Sequence, residues 1–249
     1  LDSLAEEGSH VIVDEEREGK RKQTDPISIV SQLCHIINSA LPNRKRIALT
    51  LGSNSSPIDD VRSIVNTSTG ETGWAISELL HRMGHDVICV AGLTSVSPKF
   101  KLPDVRNCSS PDQMLSEAKK VSEELNPDVW IFSAAVLDYE PEKLLGKIPS
   151  GDTEISISLT PTKKHIPEIL SSSGDCISIG FKLESNIEYS DLIQRAMQQM
   201  EKYSLTAVVA NRLQDLTDLE SPRGWFVEPS GKIIETPDLQ SLCLQIEAY

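Results

Sequence analysis

A chain of 249 residues can bury a full hydrophobic core, and its length predicts one large domain with a smaller appended segment. Its 24 basic and 37 acidic residues give a net charge of -13, which opposes broad contact with nucleic-acid phosphates. The sequence has no apolar run of membrane-spanning length, and its first residues lack the basic start of a signal peptide. We therefore expect a cytoplasmic protein that binds neither nucleic acid nor membrane.

The cysteines and histidines argue against several catalytic classes. The five cysteines are scattered without a CxxC pair, which predicts buried free thiols and neither a zinc site nor a disulfide framework. Among the five histidines only His81 and His85 have helical i, i+4 spacing, and no Glu follows His81, so all five are interpreted as surface or capping residues. GxSxG is also absent. Zinc, serine-hydrolase and redox-cysteine mechanisms lose most of their support.

The N-terminal part differs in pattern from the rest. Charged residues dominate the segment 14–25 and predict a loop, whereas apolar residues at helical spacing from Ile29 to Ile37 predict a short amphipathic helix. Pro42 and the basic residues after it interrupt this pattern. We therefore divide the chain into an N-terminal segment, residues 1–43, and a main domain, residues 44–249.

Strand and helix patterns alternate along the main domain. Strands are predicted at Ile47–Leu51, Asp86–Ala91, Val129–Val136, Ile177–Phe181 and Ala207–Ala210, and helices at Ile76–Met83, Asp112–Leu125 and Leu192–Met200. Such alternation predicts a mostly parallel sheet with right-handed crossovers, which is a doubly wound, Rossmann-like α/β fold.

Two hairpins are expected in addition. The strict alternation of Ile155, Ile157 and Leu159 predicts a β-hairpin arm. Trp225–Val227 and Lys232–Ile234 predict a terminal hairpin, followed by a last helix that ends near Ala248.

Candidate ligand-binding residues follow the strands, because the crevice of an open parallel sheet lies at the carboxyl ends of its strands. Gly52 and the segment Asn66–Gly73 bring small and hydroxyl residues to a helix start, where backbone N–H groups could hold phosphate. The alternative is a capped loop without a ligand. Neither GxGxxG nor the P-loop spacing is present.

Later strand ends offer further candidates. Small residues from Ser133 lead to Asp138, which could bind ribose hydroxyls or a metal ion, or could close a turn. Lys147 lies in a loop that could close on a triphosphate, although surface lysines are usually just solvated. Phe181 could face a nucleobase or pack in the core, and Asn211 could bind a ligand or form a turn.

Taken in order, these segments resemble the phosphopantothenoylcysteine synthetase (phosphopantothenate–cysteine ligase) family of coenzyme A biosynthesis. The resemblance extends from Arg46 to about Ala248. The segments that carry it are Ile58–Arg62 with Asn66–Gly70, Ala134–Tyr139, Gly146–Ile148, Phe181–Glu184 and Val209–Asn211.

The resemblance implies a homodimeric ligase that activates 4'-phosphopantothenate with CTP or ATP and Mg²⁺, releases pyrophosphate and then forms an amide with cysteine. The implied catalytic residues are Asn66, Asp138 and Lys147, and Asp138 could also hold Mg²⁺ through the triphosphate. The implied nucleotide-binding residues are Gly52, Ser68, Gly70, Gly73, Leu137, Tyr139, Gly180, Phe181 and Asn211. The implied substrate-binding residues are Asn66, Ala134, Ala135, Asp138 and Arg62, the last supplied by the partner subunit.

Upstream, Gly8–Val13 and the charged loop to Pro26 resemble the end of the flavin-dependent decarboxylase that is fused ahead of this ligase in many prokaryotes. No cysteine lies between Leu1 and Gln32, so we expect neither decarboxylase activity nor FMN on this chain. The resemblance leaves open whether a full decarboxylase domain precedes the chain.

Departures from the family pattern leave other questions open. Glu71 and Thr72 replace the Lys-Met of the bacterial pattern and remove a positive charge near the phosphate site. The choice between CTP and ATP stays open. An NAD(P)-dependent oxidoreductase shares the sheet pattern but would need GxGxxG. A non-catalytic nucleotide-binding module is the third alternative, against which Asn66, Asp138 and Lys147 together favour catalysis.

Overall fold

The computed structural model describes residue 12 and residues 23–151, 154–218 and 220–249. Within these ranges the elements are α1 (Pro26–Ser39), β1 (Arg46–Leu51), β2 (Ser55–Pro57), β3 (Ser63–Val65), α2 (Glu71–Arg82), β4 (Asp86–Ala91), β5 (Asp104–Asn107), α3 (Pro111–Leu125), β6 (Val129–Phe132), β7 (Tyr139–Pro141), β8 (Leu159–Pro161), α4 (His165–Leu170), β9 (Ile177–Glu184), α5 (Tyr189–Tyr203), β10 (Ala207–Arg212), β11 (Gly224–Val227), β12 (Ile233–Thr236) and α6 (Leu239–Ala248). None of the helices in these ranges is long and apolar enough to span a bilayer.

The centre of the fold is an 8-stranded sheet in the order β12-β11-β10-β9-β6-β1-β4-β5. From β10 to β5 all neighbours are parallel, whereas β11 and β12 form the predicted antiparallel terminal hairpin. Helices α2 and α6 cover one face, and α3, α4 and α5 cover the other. The predicted doubly wound, mostly parallel α/β fold is therefore confirmed.

Local sequence explains where the main elements begin and how they pack. All residues of β1 after Arg46 are buried, as expected for a strand that is covered on both faces. Helix α3 begins after Ser110, whose side chain accepts a hydrogen bond from the Gln113 backbone N–H at 3.2 Å. Pro111 lies in the first turn, where a backbone N–H has no partner within the helix, so the N–H that proline lacks is not missed.

Strand β6 is shorter than predicted. It ends at Phe132 and not at Val136, because its partner β1 ends at Leu51 and the chain turns at Gly52, which has φ of 77°. Beyond that point the pairing is reduced to the Ser133 N–H to the Thr50 carbonyl at 3.0 Å, the Ala135 N–H to the Gly52 carbonyl at 2.8 Å and an isolated bridge between Ser53 and Ala135.

The predicted hairpin arm is real but shorter. Of its three alternating residues only Leu159 lies in a strand, where β8 pairs with β7. Ile155 and Ile157 are 54% and 43% exposed, so their alternation has no core to pack against. The hairpin of β2 and β3 was not predicted, since three-residue strands of mostly serine and proline carry no alternating apolar signal.

The N-terminal segment contributes one helix that packs on the main domain. The His35 and His81 rings stack with centroids 4.1 Å apart, and Asn38 Nδ2 donates to the Arg82 carbonyl at 2.7 Å. The division at residue 43 remains a prediction. Apart from Ile12, the decarboxylase-like segment 8–22 lies outside the described residues.

The histidine interpretation was wrong for three residues: His81, His85 and His165 are buried. Burial disfavours the charged imidazolium and so lowers the pKa of each ring below its ordinary value, which keeps the rings neutral. Among the cysteines, Cys89, Cys108 and Cys243 are buried free thiols, as predicted, whereas Cys34 and Cys176 are only half-buried.

Candidate active site at the switch point of the sheet

A cavity of about 580 Å³ opens at the carboxyl ends of the central strands. Its lining includes Thr50 from β1, Phe132 from β6 and the segment Phe181–Glu184 at the end of β9. Strands β4 and β6 flank β1 on opposite sides, so the strand order reverses here. Ligands of open α/β sheets bind at such a switch point.

Four of the predicted site residues line this cavity: Ala134, Ala135, Asp138 and Phe181. The two alanines are half-buried, and their small side chains leave the backbone close to any bound group. Asp138 is exposed and forms an ion pair with Lys164. Three further predicted residues adjoin this lining along the chain, namely Leu137 and Tyr139 beside Asp138 and Gly180 before Phe181.

Basic side chains that the sequence analysis missed dominate the charge of the cavity. They are Lys163, Lys164, Lys182, Arg195 and Lys202, against the acidic Asp138 and Glu184. They come from three different elements of an acidic chain, so only folding gathers them. The result is a positively charged pocket, which favours an anionic ligand.

Glu184 organises two of these cations. Its carboxylate pairs with Lys182 Nζ and with Arg195 Nη1, each at 2.8 Å. Burial by itself would raise the pKa of Glu184, but the hydrogen bonds from Lys182 and Arg195 outweigh it and lower the pKa. The carboxylate therefore stays ionised and orients both cations at the cavity wall.

The first predicted cluster meets the cavity through Ala135. Asn66 Nδ2 donates to the Ala135 carbonyl at 3.1 Å, and the Gly52 carbonyl accepts the Ala135 N–H. Asn66 and Gly52 are thus one residue removed from the lining. Sequence order alone could not show that these segments touch.

The rest of that cluster, Ser68, Gly70 and Gly73, does not line the cavity. Gly70 is the N-cap residue of α2 with φ of 81°, a left-handed conformation that favours glycine. A Cβ on Gly73 would lie 2.4 Å from Leu51 Cβ, so close packing of α2 on β1 requires glycine at this position.

The first turn of α2 has a basic neighbour that the sequence did not reveal. Arg223, which precedes β11, donates from Nη2 to the Thr72 hydroxyl. Its guanidinium therefore places a positive charge beside Glu71 and Thr72, where the departure from the bacterial pattern had removed one. The two hydrogen-bonded residues are 151 positions apart, and only the tertiary fold brings them together.

Two buried polar residues near strand ends have an atom without a protein partner. Asn211, at the end of β10, is 7% exposed, and its Oδ1 accepts no hydrogen bond within the described part of the chain. His165 is also 7% exposed and lines the cavity, and its Nδ1 has no partner there. Buried polar atoms are usually satisfied.

Lys147 and Arg62 do not line the cavity. Lys147 is exposed in a loop that contacts the turn between β2 and β3. Arg62 belongs to that turn and pairs with the buried carboxylate of Asp59. In this single subunit neither residue contacts the candidate cavity.

The described residues contain no group of three or more His, Cys, Asp or Glu side chains arranged to hold a metal ion. Asp138 is the acidic residue of the predicted site that lines the cavity. One carboxylate combined with nucleotide phosphates is a donor set that Mg²⁺ commonly uses. The residues present therefore fit Mg²⁺ carried by a nucleotide better than a preformed protein site.

Comparison with known proteins agrees with this architecture. Residues 43–238 match the family described as DNA/pantothenate metabolism flavoprotein C-terminal domain. The chain is 30% identical over 217 residues to the "Coenzyme A biosynthesis bifunctional protein CoaBC" of Methanocaldococcus jannaschii, covering 86% of this chain and 52% of the relative. It is 29% identical over 215 residues to the protein of the same name from Thermococcus kodakarensis, covering 86% and 53%. The chain thus spans about half the length of these curated relatives.

A solved structure shows the same fold. The crystal structure of the DNA/pantothenate metabolism flavoprotein from Streptococcus pneumoniae matches with a TM-score of 0.72 at 26% identity, covering 82% of this chain and 99% of that one. The family match extends over most of the main domain and includes every segment that carries the resemblance, from Ile58 to Asn211. The chain therefore belongs to the DNA/pantothenate metabolism flavoprotein C-terminal domain family, which confirms the predicted resemblance.

Proposed function

We propose that this chain is a phosphopantothenate–cysteine ligase of coenzyme A biosynthesis. The observation that carries the proposal is the basic cavity at the switch point, lined by the predicted Ala134, Ala135, Asp138 and Phe181. Family membership and the archaeal relatives named as coenzyme A biosynthesis proteins support the same assignment.

The reaction needs an activated acid, because a carboxylate is a poor electrophile. A carboxylate oxygen of 4'-phosphopantothenate attacks the α-phosphate of CTP or ATP, and the bond to pyrophosphate breaks. The cysteine amine then attacks the acyl carbon, loses a proton and displaces the nucleoside monophosphate, which leaves the amide. Neither step needs a protein nucleophile, and positioning of the reactants can supply much of the acceleration.

The cavity residues have clear tasks in this scheme. Lys182 and Arg195, held by Glu184, would bind the triphosphate and stabilise the charge of the leaving pyrophosphate. Phe181 would pack against the nucleobase. Outside this lining, Asn211 in β10 would offer its unpartnered amide oxygen to a nucleotide donor.

Asn66 would serve the second step. Its amide is oriented by the hydrogen bond to the Ala135 carbonyl, beside the cavity. From there it would donate to the acyl oxygen as that oxygen gains charge during attack by the amine. Asp138 would contact phosphopantothenate and would hold Mg²⁺ that arrives with the nucleotide. The ion would neutralise part of the triphosphate charge.

Neither Arg62 nor Lys147 lines the cavity within one subunit, which supports a site shared between two subunits. In the proposal, Arg62 of one subunit binds the phosphate of the substrate in the other, and the exposed Lys147 closes over the nucleotide. Both residues stand on surface segments that a second copy of the chain could approach.

The decisive experiment measures pyrophosphate release by the purified chain with 4'-phosphopantothenate, cysteine and Mg²⁺, in parallel with CTP and ATP. Release that depends on phosphopantothenate would support the ligase and name its nucleotide. Nucleotide binding without release would instead indicate a non-catalytic module, and a change in NAD(P)H absorbance would indicate an oxidoreductase.

A further inference from the structure

The Lys147 loop, residues 142–151, is docked on the turn between β2 and β3. The Leu144 N–H donates to the Ile58 carbonyl at 2.9 Å, and the Asp60 N–H donates to the Gly146 carbonyl at 3.2 Å. Both backbone contacts lie on the N-terminal side of Lys147. On the C-terminal side the contact is made by side chains.

Asp59 is the centre of that second contact. Its side chain is fully shielded from solvent, and one carboxylate oxygen accepts the N–H groups of Val61 at 2.8 Å and Arg62 at 2.7 Å. The other oxygen accepts the Ile148 N–H at 3.0 Å and the Arg62 guanidinium. One buried carboxylate therefore joins the turn, the arginine and the loop.

Arg62 completes a clamp around Ile148. Its Nη1, which pairs with Asp59, also donates to the Ile148 carbonyl at 3.3 Å. The N–H of Ile148 is thus held by Asp59 and its carbonyl by Arg62, directly after Lys147. Within the described contacts the other two guanidinium nitrogens of Arg62, Nε and Nη2, bind no protein group, and the side chain is 42% exposed.

We propose that Asp59 is a positioning residue that holds Arg62 and the backbone of Ile148 together and so fixes Lys147 relative to Arg62. This inference rests on the proposed function, in which Arg62 binds the substrate phosphate and Lys147 contacts the nucleotide. A phosphate held by the free nitrogens of Arg62 acts on the same clamp, so substrate binding and the position of Lys147 are coupled.

The ionisation of Asp59 supports this arrangement. Burial by itself would raise the pKa of Asp59, but hydrogen bonds from the Ile148, Val61 and Arg62 amides and from the Arg62 guanidinium outweigh it. Together they lower the pKa to about 2, so the carboxylate stays charged throughout the neutral range.

The test compares Asp59→Asn with Asp60→Asn in the full chain. Asp60 contacts the same loop, accepting the Gly146 N–H at 3.1 Å and pairing with Lys143 at 3.0 Å, but its side chain is 53% exposed. Hydrogen–deuterium exchange of residues 144–151 is measured with and without 4'-phosphopantothenate, and pyrophosphate release gives the KM for the nucleotide and kcat.

For Asp59→Asn we expect faster exchange, loss of any protection by phosphopantothenate and a fall in kcat/KM for the nucleotide of about tenfold or more. For Asp60→Asn we expect a change of less than about twofold, because exposed ion pairs contribute little. If Asp59→Asn does not fold, Ile148→Pro removes the N–H that Asp59 accepts and keeps the carboxylate, while its ring also fixes φ there and restricts the backbone of Lys147, and exchange of residues 144–146 is the readout.

Unchanged exchange in Asp59→Asn, or equal effects of the two variants, would overturn the proposal. The exchange readout does not depend on ligase activity. A wild-type chain that releases no pyrophosphate would therefore contradict the proposed function, while the exchange data would still decide whether the clamp exists.

Discussion

At the scale of single residues, the candidate site combines predicted residues with cations that only the fold gathers. Asn66 belongs to the first group. Asn66→Asp should still allow the acyl-nucleotide to form but should convert it poorly with cysteine, because the donor for the developing oxyanion is lost. Quenched reactions analysed by mass spectrometry would show the intermediate accumulating. Full ligation by this variant would remove the role proposed for Asn66.

Lys182 belongs to the second group. Lys182→Ala should weaken nucleotide binding about tenfold, because a charged hydrogen bond to phosphate is lost. Lys232→Ala is the matched control, since Lys232 also pairs with a glutamate, Glu228 at 3.3 Å, but far along the chain in the terminal hairpin. Calorimetric titration with CTP and ATP would give both affinities, and equal affinities in the two variants would contradict a phosphate role for Lys182.

At the scale of elements, the close contact of α2 with β1 sets the position of the first predicted cluster. Gly73→Ala should lower the free energy of unfolding by about 1–3 kcal/mol, because its Cβ would overlap Leu51 and push the helix away. In the control Gly174→Ala, the new Cβ would meet only the Asn126 side-chain oxygen at 2.9 Å. We expect that control to stay within about 0.5 kcal/mol of wild type. Urea denaturation would measure both, and similar stabilities would exclude this packing requirement.

At the scale of the whole molecule, a shared site makes two inactive variants complementary. A heterodimer of Arg62→Ala with Asn66→Asp would contain one intact site, because each chain supplies what the other lacks. Heterodimers isolated with two different tags should show roughly half of wild-type activity. Activity no higher than in the two parent dimers would mean that Arg62 acts within its own subunit or not at all.

Stability should depend on pH through the buried histidines. Burial lowers the pKa of His165 to about 4, and burial with nearby positive charge does the same for His81. The unfolded chain therefore takes up protons that the folded chain refuses as the pH falls from about 6.5 towards 4, and stability is lost over that window.

The loss should be on the order of 1–3 kcal/mol for each histidine and absent above neutral pH. Urea denaturation of the wild type and of His165→Gln across this range would measure it. The variant should lose less stability than wild type, and an identical loss in both would show that His165 does not contribute.

Local sequence patterns were sufficient to predict the alternation of strands and helices, the terminal hairpin and the family. These follow from local signals, such as the mostly apolar segment Ile47–Leu51 of β1 and the helical spacing of the apolar residues of α2, which need no knowledge of distant residues. The same locality explains the errors. Strand β6 stops at Phe132 because its partner β1 ends at Leu51 and turns at Gly52, and Ile155 and Ile157 alternate without a surface to pack on.

The arrangement of the charges could not be predicted from the sequence, because it depends on which segments folding brings together. Folding placed Lys182 and Arg195 on Glu184 in one cavity, Arg223 beside Thr72, and Asp59 between Arg62 and Ile148. Arg195, Arg223 and Ile148 come from elements separate from those of Glu184, Thr72 and Asp59, and electrostatic energy depends on distance and burial, not on order along the chain. A chain with a net charge of -13 can therefore build a basic pocket for an anionic ligand once folding has brought the few necessary cations together.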